Sequence, residues 1–219
     1  PPFGFYWFML VNDTSMPAWY VKPSEPLPDY QTLVLPNGAP DLLRGAARET
    51  LEKVTLPQYL QLRRWYAGKQ HKLNAVHIAL ATSLPVPTGT LPMMLADLVT
   101  SDAQGDERYF LPLGVLAEEQ GGASLPQQLA LARVRRERHV GMLTDAFSLD
   151  SFAHLVFDLI GKEARIAAED GVIVCSRTRA LDDIALPEEA GIRRMTVEQS
   201  NSSLSMDDTV VLKVIRHQI

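Results

Sequence analysis

Apolar and polar residues alternate along the chain with two periods, and the clearer one is helical. Between Ser151 and Ile160, Phe152, Leu155, Val156, Leu159 and Ile160 recur at i, i+3, i+4, i+7 and i+8. That spacing puts them on one helix face, with Asp150 placed as cap and Gly161 as terminator. A second helical stretch starts near residue 41, where Asp41 is positioned to cap a segment through Lys53. Pro57 then suits the first turn of another helix carrying Leu56, Tyr59, Leu60 and Arg63, which Gly68 ends.

The period of two governs most of the remainder. Asn74–Ala81, Leu91–Thr100 and Arg108–Leu116 read as strands, separated by the turn clusters Pro85-Val86-Pro87-Thr88-Gly89 and Asp102-Ala103-Gln104-Gly105-Asp106, so an antiparallel meander is the simplest arrangement. Within 126–147, Leu129, Leu131 and Val134 fit either period, with strands preferred. Further strands are predicted at Ala164–Ala168, Val172–Ser176, Arg193–Gln199, Ser203–Met206 and Thr209–Arg216. The fold class is therefore α+β: mainly antiparallel sheets with a few helices.

The chain opens on Pro1-Pro2 and runs at once into Phe3, Phe5, Tyr6, Trp7 and Phe8, an aromatic run suited to a buried strand. Nothing nearby supplies partners for it, so residues 1–12 read as the last strand of an upstream domain. From 13 to 40 the residues Pro17, Pro23, Pro26, Pro28, Pro36 and Pro40 remove backbone donors and favour extended conformations, which reads as a linker. The rest divides into segments 41–120, 121–190 and 191–219.

Charge and composition narrow the function classes. A net charge of −5 opposes nucleic-acid binding, and Arg133, Arg135, Arg136 and Arg138 form only a short basic run that reads as a solvated face or strand edge. No apolar stretch approaches the ~20 residues that span a bilayer, and the opening lacks a basic flank and a cleavage site, so a cytoplasmic protein is expected. Cys175 is the single cysteine and sits in the apolar run Val172-Ile173-Val174, as a small core residue would. His71, His77, His139, His154 and His217 lack the close spacing of a zinc site, and no metal ligands are assigned.

The unusual chemistry lies near the carboxy terminus. Two short strands flank Gln199-Ser200-Asn201-Ser202, and after the tight turn Asp207-Asp208 a strand runs Val210-Val211-Leu212-Lys213-Val214-Ile215. Val210, Leu212 and Val214 face one way and Val211, Lys213 and Ile215 the other, so Lys213 is the one charge in a strand apolar on both faces. Burying an unpaired ammonium costs several kcal/mol. Lys213 therefore meets an anion, or carries its head to solvent as an edge lysine that blocks aggregation. Strand, small polar loop, strand, tight turn and strand with a central lysine is also the order in which kinases cover ATP phosphates and pair a lysine with them. The loop is not glycine-rich, but Gln199, Ser200, Asn201, Ser202 and Ser203 offer amide, hydroxyl and backbone donors to phosphate oxygens.

The stretch EQSNSSL…VVLKVIR resembles the phosphate-loop and lysine region of maltokinases, relatives of the aminoglycoside phosphotransferases. LPQYLQLRRWYAGK, residues 56–69, is similar to the motif that opens the maltokinase amino-terminal cap. PPFGFYWF resembles the end of the trehalose synthase carboxy-terminal β-domain, and TLVLPNGAPDLL the joint in fusions of the two enzymes. The resemblance implies a synthase strand at 1–12, a Pro-rich linker at 13–40, a cap at 41–120, an intermediate subdomain at 121–190 and the first strands of a kinase-like N-lobe at 191–219. It further implies an enzyme that uses ATP and Mg²⁺ to phosphorylate maltose at the anomeric position for α-glucan synthesis. Lys213 would hold the α/β-phosphates and Gln199 to Ser203 would cover them. The HGD-type and DFE-type segments that carry this family's catalytic and metal-binding residues do not occur in these 219 residues, so no catalytic residue is assigned. Two other readings stand beside it: a non-catalytic cap that fixes a kinase against the synthase, and a related kinase with another acceptor.

Overall fold

The computed structural model describes residues 30–87, 91–117, 124–168, 171–184, 187, 190–195 and 200–218. The aromatic segment 1–12 and the stretch up to residue 29 lie outside them. The first element comes from the proline-free run Thr32-Leu33-Val34-Leu35. Strand β1 (Thr32–Val34) pairs in parallel with β5 (Ala130–Arg136), burying Leu33 and leaving Thr32 and Val34 outward. The tail of the Pro-rich stretch is thus part of the main sheet.

The chain then runs helically from Gly45 to Leu62, as α1 (Gly45–Thr50), a wide π-type turn at Leu51–Thr55, and α2 (Leu56–Leu62). Pro57 accounts for the wide turn: it has no N–H to donate and its ring would strike the carbonyl four residues back, so the ladder opens by one residue there. Asp41 does not cap this helix. Its carboxylate accepts from the Asn37 backbone N–H at 2.7 Å, and residues 39–43 form a separate 3₁₀ turn. The helix also stops before Gly68, because Arg63 turns extended and Trp65 and Tyr66 swing into the core.

The expected meander is present as β2 (Ala75–Ser83), β3 (Met93–Ser101) and β4 (Asp106–Ala117), each antiparallel to the next. The ambiguous stretch resolves into a short helix α3 (Ser124–Gln128) and a hairpin of β5 and β6 (His139–Asp145), whose turn holds Glu137 at φ 53°. Seven of the described strands form one sheet, in the order β1-β5-β6-β4-β3-β2 with β12 (His217–Gln218) also on β4. Its first core contains Leu33, Leu56, Tyr59, Leu60, Leu98, Leu111 and Leu143. Arg133, Arg135, Arg136 and Arg138 are exposed, as a solvated face requires, although β5 is paired on both sides and is no edge.

A second core is organised by α4 (Asp150–Gly161), which buries Phe152, Leu155 and Leu159 of its predicted stripe together with Ala153, while Val156 and Ile160 are half-buried. Asp150 is a first-turn residue and not the cap; its carboxylate binds Arg194 instead. Around this helix lie the hairpin of β7 (Arg165–Ala168) with β8 (Gly171–Val174), and a three-stranded sheet ordered β11-β10-β9: β9 (Ile192–Met195), β10 (Asn201–Met206) and β11 (Val210–Ile215). Cys175 is half-buried against the same core. The chain is α+β, with few helices and mostly antiparallel sheets.

Candidate functional site

The three-stranded sheet puts Lys213 at the middle of β11. Asp207, Asp208 and Thr209 connect β10 to β11; Asp207 and Asp208 take left-handed φ of 46° and 52°, and the Thr209 N–H donates to the Met206 carbonyl at 3.0 Å to close the turn. The resulting register sets Lys213 opposite Ser203, Val211 opposite Ser205 and Ile215 opposite Asn201. Directly opposed residues share a face. The inner face, with Leu204, Met206 and Val214, is buried in the second core.

The other face is unusual in its mixture. Val211 and Ile215 are 58% and 52% exposed on either side of the exposed Lys213, while Ser203 and Ser205 lie buried beneath them at 1% and 2%. Across β10 the same face continues to Met195 and Arg193. Arg193 is held by Asp208. Small hydroxyl residues between longer neighbours make a shallow floor, and the exposed branched apolar side chains give it a greasy border.

Of the residues singled out for phosphate contact, Lys213, Asn201 and Ser203 share this face. Ser200 precedes β10 and is exposed, its hydroxyl 3.3 Å from the Asn201 amide nitrogen. Asn201, Ser202 and Ser203 are strand residues and not loop, since each pairs with β11. Ser202 faces away from Lys213, on the inner side. Gln199 lies outside the described residues.

What sequence reasoning missed is the anchor of this sheet. Arg216, immediately after β11, is 1% exposed and pairs with the equally buried Asp145 at 2.7 Å. Its Nε donates to Ser202 Oγ at 2.9 Å, and its guanidinium lies 5.1 Å from the Trp65 ring centre and 5.6 Å from that of Phe147. Asp145 ends β6 in the main sheet and also accepts from the Tyr59 hydroxyl at 3.1 Å and the Phe147 backbone N–H at 3.0 Å. Burial, and then the Asp145 charge beside it, push the Tyr59 hydroxyl well above the ordinary tyrosine range.

Arg194 of β9, at the other edge of the small sheet, grips the 3₁₀ turn Ala146–Ser148 that follows Asp145. It donates to the carbonyl oxygens of Phe147 and Ser148 at 2.9 and 2.7 Å and to Asp150 at 2.7 Å. Both arginines and Asp145 are charges beside apolar runs, which was the one sequence signal available for them.

No curated protein matches the chain. Residues 59–148, which carry Tyr59, Trp65, Asp145 and Phe147, match the family model of the maltokinase N-terminal cap domain, so this part of the chain is similar to the N-terminal region of maltokinases.

Proposed function

We propose that the chain supplies the cap and the nucleotide-binding strands of a maltokinase fused to trehalose synthase, an enzyme that transfers the ATP γ-phosphate to maltose. In that reaction the anomeric hydroxyl oxygen attacks the γ-phosphorus and the bond to the β–γ bridging oxygen breaks. ADP departs, and the hydroxyl proton passes to a base outside these 219 residues. Lys213 would meet the α/β-phosphates, with Gln199, Ser200, Asn201 and Ser203 closing over them, while Ser202 serves indirectly through Arg216. A compact ammonium on a flexible stem suits this role.

The observation that carries the reading is the outer face of β11, where Lys213 stands between exposed Val211 and Ile215 over the buried serine floor, in a chain whose residues 59–148 match the cap family. A purine and its phosphates need such a pairing of apolar border, close approach and fixed cation. Among the described residues, no group of three or more His, Cys, Asp or Glu is placed to hold a metal, so Mg²⁺ would take its ligands from elsewhere in the protein. The test is phosphorus NMR on the parent polypeptide with ATP, Mg²⁺ and a panel of sugars. Maltose 1-phosphate as the main product supports the reading. Phosphorylation of another acceptor would leave a related kinase, and no transfer at all would leave the non-catalytic cap.

A further inference from the structure

Arg216 is three residues from Lys213 on one continuous stretch of backbone, and it is the point where that stretch passes from the small sheet to the large one. Its hydrogen bonds divide evenly between the two. Toward the head of β10, its backbone N–H donates to Asn201 Oδ1 at 3.4 Å and its Nε to Ser202 Oγ at 2.9 Å. Toward the cap, its carbonyl accepts from the Phe110 N–H of β4 at 2.7 Å and its Nη2 donates to Asp145 of β6 at 2.7 Å. Beyond it, β12 continues onto β4, with His217 stacked on Tyr109 at 5.0 Å.

A buried ion pair is a poor choice where only stability is wanted, since well-packed apolar residues do as well or better. Its use lies in direction. The guanidinium fork presents Nε and Nη2 to two different elements at fixed angles, which neither an apolar side chain nor a lysine can do. Among the described residues, Nη1 has no hydrogen-bond partner.

We propose that Arg216 is a positioning residue that couples the cap to the nucleotide strands: held on Asp145, it fixes Asn201, Ser202 and Lys213 relative to one another, so that the cap sets ATP affinity. This rests on the phosphate-binding reading of Lys213, whereas the mechanical coupling itself does not. The extended backbone advances about 3.3 Å per residue, so a shift at Arg216 passes to Lys213 with little to absorb it.

The experiment has two arms. In the parent kinase, Arg216→Lys and Asp145→Asn should raise the ATP KM by about tenfold or more while the maltose KM stays near wild type, as expected of a coupling between sites. The apolar pair Arg216→Met with Asp145→Leu should restore the melting temperature yet keep the raised ATP KM. If that pair restores both, or if maltose and ATP KM rise together, the residue is merely structural and the proposal is overturned. In the 219-residue chain, amide exchange follows the coupling without any nucleotide. The same apolar pair should speed exchange at 201–203 and 213–215 by about tenfold and leave β2 and β3 unchanged. Uniform or absent change would overturn the coupling. Intact exchange coupling with normal ATP KM would instead count against Lys213 as the phosphate ligand.

Discussion

Phe152→Ala tests whether the second core holds the small sheet in place. The ring is 2% exposed on α4 and belongs to the cluster that contains Leu155, Leu159, Leu204, Met206 and Val214. Removing roughly 150 Å² of aromatic surface from burial forfeits about 4 kcal/mol at ~25 cal/mol per Å². Residual compactness of the unfolded chain trims this by roughly 10–40%, and the cavity left behind restores part of it, giving about 3–5 kcal/mol. For a chain of this length about 2–4 °C is lost per kcal/mol, so the melting temperature should fall by roughly 6–20 °C. The assay is thermal unfolding by calorimetry and by near-ultraviolet circular dichroism, with Val211→Ala as control. Val211 is 58% exposed and its truncation should shift stability by less than about 0.5 kcal/mol. A Phe152→Ala protein melting within about 2 °C of wild type would refute the packing argument.

Asp97 supplies a pH test. Burial raises its pKa, and the partial relief from Arg108 does not cancel this, so the folded chain binds this proton more tightly than the unfolded chain does. Stability from that protonation is fully present below the ordinary Asp pKa of about 3.9 and is lost as pH rises through the folded value. Asp97→Asn should therefore raise the melting temperature at pH 7 and match wild type near pH 3; an equal gain at both pH values would contradict it. The purified 219-residue chain should not phosphorylate maltose, and measurable transfer by it would show that the catalytic groups lie within these residues after all.

Much of the fold was legible because its signals are local. The β2-β3-β4 meander follows from alternation broken by turn clusters, and α4 from a single uninterrupted stripe. Failures came where distant contacts override local ones. Thr32–Val34 looked like linker because prolines surround it, yet its partner, β5, lies far downstream and buries Leu33. Trp65 and Tyr66 continue a helical spacing, but the core of Tyr59 and Tyr109 pulls both rings out of it. At the site, Lys213 was visible as a charge in an apolar strand. Arg216 and Asp145 were not, because the pair spans 71 residues of sequence and neither residue implies the other locally. Ser202 looked equivalent to its neighbours until strand alternation placed it on the inner face.

The central claim is the proposal that Lys213 contacts ATP phosphates, and steady-state kinetics of Lys213→Met in the parent polypeptide tests it most directly. The aliphatic stem of methionine still packs between Val211 and Ile215, so the variant should fold with a near-normal melting temperature. Its kcat/KM should fall by roughly 10²-fold or more, which corresponds to about 2.7 kcal/mol or more of transition-state stabilisation. Lys213→Arg should not recover it, since a planar fork cannot take the place of a compact ammonium. A folded Lys213→Met enzyme within about threefold of wild type would contradict the claim and leave Lys213 as an edge lysine that guards the strand.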